Sequence, residues 1–310
     1  MLDMGLLGVL ALFHAVGTVG ACTAIGVTPG ATADGSTLVT HSSDAEGEND
    51  PRVYKVAAAK HEPGSQRMIY DYPTGLSSSA RVRTPIGSIA QVARTHGYLR
   101  EGYAMMNDAS VSIGESTTSS VSPIDEIQPV SRGGTALLGA YTLIELALER
   151  CDTGRCAVET MGSLAEQHGF YQDSGTPSGE AFVIGDRKEV WLFHILPPLS
   201  AANASCGAIW AAARVPDGFV TAVPNSYVIR TVELDSADYL YSRSMLDAAL
   251  ELGAWAPGEQ GGIDFTRAFS QGEYGGKYYS GRRIWRALSL LGAPEAVASL
   301  PAEYDDLAVS

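Results

Sequence analysis

Residues 22–44 constrain this chain more than any other stretch, because they open with a cysteine and then alternate like two β-strands. The segments CTAIGV and STLVTHS flank a turn built from Pro29-Gly30 and Ala33-Asp34-Gly35. Apolar and polar residues that alternate with period two on both sides of a turn predict an antiparallel hairpin. The sequence therefore predicts that Cys22 lies at the start of a strand.

The segment before this hairpin has the layout of a secretory signal. Residues 1–21 contain no Lys or Arg, hold an apolar run from Gly5 to Phe13, and end in small residues from Ala15 to Ala21. Such a run is too short to span a bilayer and suits the core and cleavage zone of a signal peptide. We therefore predict a signal peptide at 1–21, one domain at 22–310, and a secreted protein or one in the lumen of the secretory or lysosomal pathway.

Cleavage between Ala21 and Cys22 would give the mature chain a first residue with both a thiol and a free α-amine. The thiol is a nucleophile, and an α-amine with a pKa of about 7.7–8.0 can act as its base near neutral pH. Two other interpretations remain open. Val19-Gly20-Ala21-Cys22 loosely resembles the lipobox of a bacterial lipoprotein, and lipidation would block both groups. Residues 1–21 could also form a buried N-terminal strand or helix.

Charge and composition exclude some partners. The chain has a formal net charge of −14 with no cluster of Lys or Arg, and 45% of its residues are hydrophobic. An acidic balance without a basic patch argues against binding of nucleic acid or anionic membrane surfaces. The sequence predicts no membrane span and leaves a homo-oligomer open.

The cysteine spacing predicts a disulfide and no metal site. Cys151 and Cys156 close the short loop CDTGRC, which could form a disulfide in an oxidising compartment. This spacing suits zinc poorly, and no second pair or histidine cluster along the chain completes a zinc site. Cys206 is interpreted as a buried small residue.

Further along the chain, segments with the periodicity of a β-strand alternate with segments with the periodicity of an α-helix. We predict helices at 135–150, 156–168, 235–252 and 281–291, the last capped by Ser280. We predict a β-hairpin at 181–195 and a second strand pair of 209–214 with 218–223. Hairpins followed by a helix pair and more hairpins favour an α+β fold whose antiparallel sheets are covered by helices.

Several motifs together resemble the dipeptidase A/secernin family of N-terminal-nucleophile cysteine hydrolases, related to the penicillin V acylase and bile-salt hydrolase type. The motifs are Cys22-Thr23, Asp34-Gly35-Ser36-Thr37, Tyr103-Ala104-Met105-Met106-Asn107, Ile113-Gly114-Glu115-Ser116-Thr117, Trp210 to Asp217, and Tyr279 to Arg286. The resemblance implies a four-layer αββα sandwich, hydrolysis of dipeptides or similar small amides, and no cofactor. Family members usually continue beyond this chain's last residue, so we expect a catalytic domain that is incomplete at its C-terminus.

The resemblance also implies catalytic residues. Cys22 matches the nucleophile, and Asp44, Asn107 and Asn225 match positions that hold the amine or the oxyanion in the wider group. Without the resemblance, Asn107 could simply be a turn residue and Asp44 a helix cap or a loop carboxylate.

Two basic residues are the candidate substrate-binding groups. Arg283 could bind a substrate carboxylate through two hydrogen bonds, although a solvated helix start is an equal alternative. His41 stands where many family members carry Arg, which changes the charge near the thiol; as an isolated strand histidine it could also be structural. Glu115 and His194 are interpreted as structural.

We therefore predict a cysteine dipeptidase that acts on small peptides. One alternative is an acylase of non-peptide amides on the same fold. Another is a secreted or lipid-anchored binding protein without catalysis.

Overall fold

The computed structural model of the protein describes residues 22–43, 52–70, 85–122, 127–172, 178–200, 207–258 and 261–300. The predicted signal peptide, Asp44 and Cys206 lie outside the described residues. The described strands are β1 (Thr23–Val27), β2 (Leu38–Ser42), β3 (Tyr54–Val56), β4 (Ala59–Lys60), β5 (Gln66–Tyr70), β6 (Pro85–Ala90), β7 (Arg94–Thr95), β8 (Tyr98–Arg100), β9 (Ala104–Asn107), β10 (Ser112–Ser119), β11 (Ser178–Gly185), β12 (Val190–Leu196), β13 (Ile209–Val215), β14 (Val220–Val223), β15 (Thr231–Val232), β16 (Tyr239–Tyr241) and β17 (Ile263–Asp264). The described helices are α1 (Ala140–Arg150), α2 (Gly154–His168), α3 (Arg243–Glu251), α4 (Phe265–Phe269), α5 (Arg282–Leu291) and α6 (Pro294–Ala298).

The sheets are antiparallel, which agrees with the predicted α+β class. Eight strands form the larger sheet in the order β16-β13-β12-β11-β10-β9-β8-β3, and three form a smaller sheet in the order β14-β1-β2. The remaining strands form two-stranded sheets, β15 with β17, β4 with β7, and β5 with β6. Among the described residues, none of the helices combines the length and apolarity needed to cross a bilayer.

The larger sheet is covered on both faces at its central strands β11 and β12. Every residue of β11 and β12 is buried. On these strands Phe182 and Phe193 belong to the core shared with α1 and α2, while Val183 and Leu192 belong to the core shared with β1 and β14. Side chains alternate between the faces of a strand, so a sheet buried on both sides needs apolar residues at successive positions.

Glycines let the smaller sheet lie close to the larger one. A Cβ at Gly26 of β1 would come within 2.7 Å of side-chain atoms of Val183 and Val190. A Cβ at Gly114 of β10 would come within 2.7 Å of the carbonyl oxygen of Thr40. This close contact brings Cys22, which directly precedes β1, against β10.

The hairpin predicted around residues 22–41 is confirmed. β1 pairs with β2 in the register Thr23 to Ser42 and Ala24 to His41. The hairpin predicted at 181–195 is confirmed as β11 with β12.

The predicted pairing of 209–214 with 218–223 is wrong, although both strands exist. β13 pairs with β12 and β16 in the larger sheet, whereas β14 pairs with β1 in the smaller one. The connection crosses between the two sheets, and hydrogen bonds from Gly30 N to Asp217 Oδ1 (2.7 Å) and from Gly218 N to Thr28 Oγ1 (2.9 Å) fix it. Alternation in the sequence identifies strands but does not choose their partners.

The predicted helix pair is confirmed as α1 and α2, and the predicted disulfide joins Cys151 to Cys156 between them. The helix predicted at 235–252 is shorter, because 239–241 forms the edge strand β16 and Ser242 then caps α3 by accepting a hydrogen bond from Met245 N. The cap predicted at Ser280 is wrong. Ser280 is buried inside a π-helical turn, Lys277–Gly281, that runs directly into α5.

Glu273 is expected to make stability depend on pH. Burial raises its pKa from 4.5 to about 7, although Gln271 N donates a hydrogen bond to its carboxylate at 3.1 Å. The folded protein then holds this proton at pH values where the unfolded chain has lost it, so the free energy of unfolding should fall as pH rises between these two values. Because glutamine does not titrate, the free energy of unfolding of Glu273→Gln should fall less than that of the wild type over this pH range.

Urea unfolding of the wild type and of Glu273→Gln across this pH range measures the difference. Glu295→Gln, at an exposed position of α6, is the control and should follow the wild type. Parallel stability curves for Glu273→Gln and the wild type would contradict the prediction.

Candidate active site

Cys22 is held in place through its own main chain. The residue is 8% exposed, and among the described residues it is the cysteine outside a disulfide. Its carbonyl oxygen accepts hydrogen bonds from Ser116 Oγ at 3.3 Å and from Arg283 Nη1 at 2.6 Å. Because these bonds use the carbonyl, they fix the residue without engaging its sulfur.

Arg283 ties α5 to the segments around Cys22. Besides the Cys22 carbonyl, its guanidinium donates to four oxygens: Tyr279 O (2.7 Å), Pro224 O (2.8 Å), Asn225 Oδ1 (3.0 Å) and Thr23 Oγ1 (3.1 Å). Its guanidinium also lies 4.5 Å from the centre of the Tyr279 ring. The N–H groups of the guanidinium are thus already used in hydrogen bonds to oxygens of this chain. These contacts favour a role in positioning Cys22 over the predicted binding of a substrate carboxylate.

Asn225 lies beside Cys22, as the sequence predicts. It adopts a left-handed backbone conformation with φ of 55°, and its N–H donates to Ser116 Oγ at 2.8 Å. Since Ser116 Oγ in turn donates to the Cys22 carbonyl, one hydroxyl connects the two residues. The side-chain amide of Asn225 donates to Thr117 O at 2.7 Å. The catalytic role of Asn225 stays a prediction, now with a location that suits it.

Asn107 occupies a different environment. Its side-chain nitrogen donates to Leu148 O at 2.9 Å and to Cys151 O at 2.7 Å, where α1 ends. Its side-chain oxygen accepts from the N–H groups of Ala109 and Val111 in the turn between β9 and β10. Carbonyls at a helix end need such donors. The contacts of Asn107 therefore support the structural alternative and do not support the predicted oxyanion role.

His41 and Glu115 complete a cluster with the Cys22 sulfur. Cys22 Sγ, a ring nitrogen of His41 and a carboxylate oxygen of Glu115 all lie within 4.8 Å of one another. His41 Nε2 and Glu115 Oε2 are 3.5 Å apart. The pairing of β1 with β2 brings His41 to Cys22, and the packing of the two sheets adds Glu115 from β10. His41 thus lies next to the sulfur, while its predicted contact with substrate stays a prediction.

The sequence interpretation missed Glu115. Its side chain is completely buried, and Thr117 Oγ1 donates to its Oε1 at 2.9 Å. A carboxylate in the middle of the motif Ile113-Gly114-Glu115-Ser116-Thr117 is unusual for a buried strand, since Glu is almost never fully buried without a partner. That oddity was the signal in the sequence that could have identified it.

The electrostatics of the cluster favour a charged Glu115. Burial opposes ionisation, but interactions with His41 and Glu180 outweigh it and hold the pKa of Glu115 below its ordinary value. Burial raises the pKa of Tyr103 well above its ordinary value, so this neighbour of His41 stays neutral; the two rings meet edge to face at 5.4 Å. In the part of the chain that the structure describes, Cys22, His41 and Glu115 are also the group that could hold a metal ion.

The chain is similar in sequence to known proteins over most of its length. Residues 21–305 match the family model for peptidase family C69. A probable dipeptidase B of Lactococcus lactis subsp. lactis (strain IL1403) is 26% identical over 282 residues, which cover 89% of this chain and 54% of the relative. A dipeptidase of Bifidobacterium longum (strain NCC 2705) is 25% identical over 234 residues, 70% of this chain and 39% of the relative. A probable dipeptidase of Salmonella dublin is 25% identical over 287 residues, which cover 87% of this chain and 58% of the relative. The chain thus spans about half the length of these curated relatives.

Removal of the Arg283 side chain should loosen the structure around Cys22. Arg283→Ala deletes hydrogen bonds that join α5, β1 and the segment after β14, so we expect the free energy of unfolding to fall by about 2–4 kcal/mol. Arg286→Ala removes an exposed arginine from the same helix and should change stability by less than about 0.5 kcal/mol. Urea unfolding of both variants checks this, and equal losses for the two would show that Arg283 has no special role.

Proposed function

Because the chain belongs to peptidase family C69, we propose that it is a cysteine-type dipeptidase in which Cys22 is the nucleophile. The resemblance to the dipeptidase A/secernin family is confirmed by the family match and by relatives named dipeptidases. The observation that carries the proposal is the position of Cys22. It lies directly before the central strand of the smaller sheet, fixed through its carbonyl, with His41 and Glu115 beside its sulfur.

The proposed fold is the four-layer αββα sandwich of N-terminal-nucleophile hydrolases. The contacts support this layer order. α1 and α2 pack on one face of the larger sheet, β1 and β2 of the smaller sheet contact β10 and β11 on the other face, and α5 contacts β14. The N-terminal end of β1, where the proposed nucleophile Cys22 lies, contacts the larger sheet through Ser116 and α5 through Arg283.

In the proposed mechanism, cleavage after Ala21 exposes the α-amine of Cys22. The amine takes the proton of the thiol, directly or through one water, and the sulfur attacks the carbonyl carbon of the peptide bond. The tetrahedral oxyanion collapses to a thioester while the protonated amine gives its proton to the departing amine. A water activated by the same amine then hydrolyses the thioester and restores the thiol.

An oxyanion needs donors held in place before the reaction. With Asn107 engaged at the end of α1, Asn225 is the better candidate, because it is linked to Cys22 through Ser116 and a side-chain amide has two N–H groups to donate. One such donor is worth about 2.7–4 kcal/mol in the transition state. Asp44, which lies outside the described residues, stays the predicted partner of the ammonium group.

The proposed setting is a secreted or lumenal one. The disulfide between Cys151 and Cys156 supports it, since disulfides persist in oxidising compartments. Short peptides are the proposed substrates, because the matched relatives carry the name dipeptidase.

Replacement of the nucleophile tests the proposal directly. Cys22→Ala should lower the rate of dipeptide hydrolysis by at least about a thousandfold, because no other group on this route can form the thioester. The substitution removes one sulfur from a small buried side chain, so the free energy of unfolding should change by less than about 1 kcal/mol. Initial rates on a panel of dipeptides, with urea unfolding alongside, provide both readouts.

Cys206→Ser is the matched control and should keep full activity. Hydrolysis by Cys22→Ala at the wild-type rate would place the nucleophile elsewhere. A wild-type protein that cleaves non-peptide amides and leaves dipeptides intact would favour the acylase alternative on the same fold.

The mature N-terminus is a second test. We expect intact-mass measurement and N-terminal sequencing of the secreted protein to give a chain that begins at Cys22 with an unmodified amine. Lipid on Cys22 would block the amine and the thiol together and would favour the anchored binding protein. An uncut chain would remove the proposed base.

A further inference from the structure

We propose that Cys22, His41 and Glu115 form a binding site for one zinc ion, and that zinc bound there reversibly blocks the thiol. Binding itself does not require that the chain be a hydrolase. The blocking effect rests on the proposed function, because it assumes that Cys22 is the nucleophile.

The geometry of the three ligand atoms suits a single ion. Zinc bonds of about 2.0–2.3 Å in a tetrahedral arrangement place neighbouring ligand atoms roughly 3.3–3.7 Å apart. His41 Nε2 and Glu115 Oε2 already have this spacing, at 3.5 Å. The cluster as a whole fits within 4.8 Å, so a small movement of the Cys22 side chain would bring the sulfur to the same ion.

The two ligand atoms contributed by His41 and Glu115 lack hydrogen-bond partners. Among the described residues, His41 Nε2 and Glu115 Oε2 are both buried and neither makes a hydrogen bond, although the two atoms lie 3.5 Å apart. Buried polar atoms are nearly always satisfied, so two such atoms aimed at one point call for an explanation. A cation between them and the Cys22 sulfur would satisfy both.

The charges balance as well. A thiolate and a carboxylate together carry two negative charges, which a divalent cation neutralises, and a buried charge is stable only when it is paired or bound to a metal. Glu115 is completely buried, and a cation bound beside its carboxylate would supply the pairing that a buried charge needs. A neutral imidazole adds the third ligand without further charge.

The ligand types favour zinc over the common alkaline-earth ions. Magnesium and calcium prefer shells made of oxygen, whereas sulfur, imidazole nitrogen and a single carboxylate form a typical zinc set. Three protein ligands leave one position of the tetrahedron for water. A zinc-bound Cys22 sulfur cannot attack a carbonyl carbon, so bound zinc would halt hydrolysis until it is removed.

Cobalt substitution gives a test that does not depend on catalysis. Metal-free protein of the full chain is titrated with Co²⁺, and absorption spectra are recorded. We expect one equivalent to bind, with a thiolate-to-cobalt charge-transfer band and the intense visible bands of tetrahedral cobalt. Added Zn²⁺ should abolish the spectrum by displacing cobalt.

Ligand variants identify the residues responsible. Cys22→Ser should lose the charge-transfer band, and His41→Gln and Glu115→Gln should each weaken cobalt binding by at least about tenfold. Cys206→Ser and His168→Gln are the matched controls, and both should bind as the wild type does. Thermal unfolding verifies that each variant folds. Should Glu115→Gln fail to fold, His41→Gln decides, because His41 is partly exposed on β2.

Three results would overturn the proposal. They are a titration without tetrahedral cobalt bands, a charge-transfer band that survives in Cys22→Ser, and wild-type affinity in His41→Gln. For the blocking effect, zinc should inhibit dipeptide hydrolysis over the concentration range in which it displaces cobalt, and EDTA should restore the rate; activation by zinc would refute it. Failure of the proposed function would appear instead as hydrolysis by Cys22→Ala, which leaves the cobalt result intact.

Discussion

The close packing of the smaller sheet on the larger one is the constraint on which the rest of the structure depends. Gly26 of β1 and Gly114 of β10 leave no room for a side chain between the layers. Because the backbones approach so closely, a serine on β10 reaches the carbonyl of Cys22, and a glutamate on the same strand reaches His41 of β2. Larger residues at the two glycines would separate the sheets and take these groups apart.

The main chain and the side chain of Cys22 make different contacts. The carbonyl of Cys22 is tied to β10 by Ser116 and to α5 by Arg283, and the same Ser116 hydroxyl receives the N–H of Asn225. The sulfur instead faces an imidazole and a buried carboxylate. The main-chain hydrogen bonds would hold the proposed nucleophile in place and leave its side chain able to move toward a substrate or a metal ion. The side chains that surround the sulfur of the proposed nucleophile are therefore also the ligands of the proposed metal site.

Much of the site could be predicted from the sequence, and the failures have identifiable causes. The resemblance implies catalytic roles for Cys22 and Asn225, and the structure connects the two residues through the Ser116 hydroxyl. Asn107 matched the same motifs, yet its side chain holds the end of α1, because an amide beside a turn can serve nearby carbonyls as readily as an oxyanion. Glu115 was interpreted as structural. Its neighbours Cys22 and His41 belong to the other sheet, so this contact exists only in the packed structure. Strands β13 and β14 were located correctly but were given the wrong partners.

The sequence by itself determined the elements: the hairpin at Cys22, the helix pair with its disulfide, the strands of the larger sheet from β11 to β13, and the family. These depend on local periodicity, turn residues and short motifs, which the order of residues contains directly. Only the tertiary structure decided which strands share a sheet and which side chains surround the sulfur. Residue 115 lies far from residues 22 and 41 along the chain, and its meeting with them depends on sheet packing, whose energy comes from contacts between segments that no local pattern encodes.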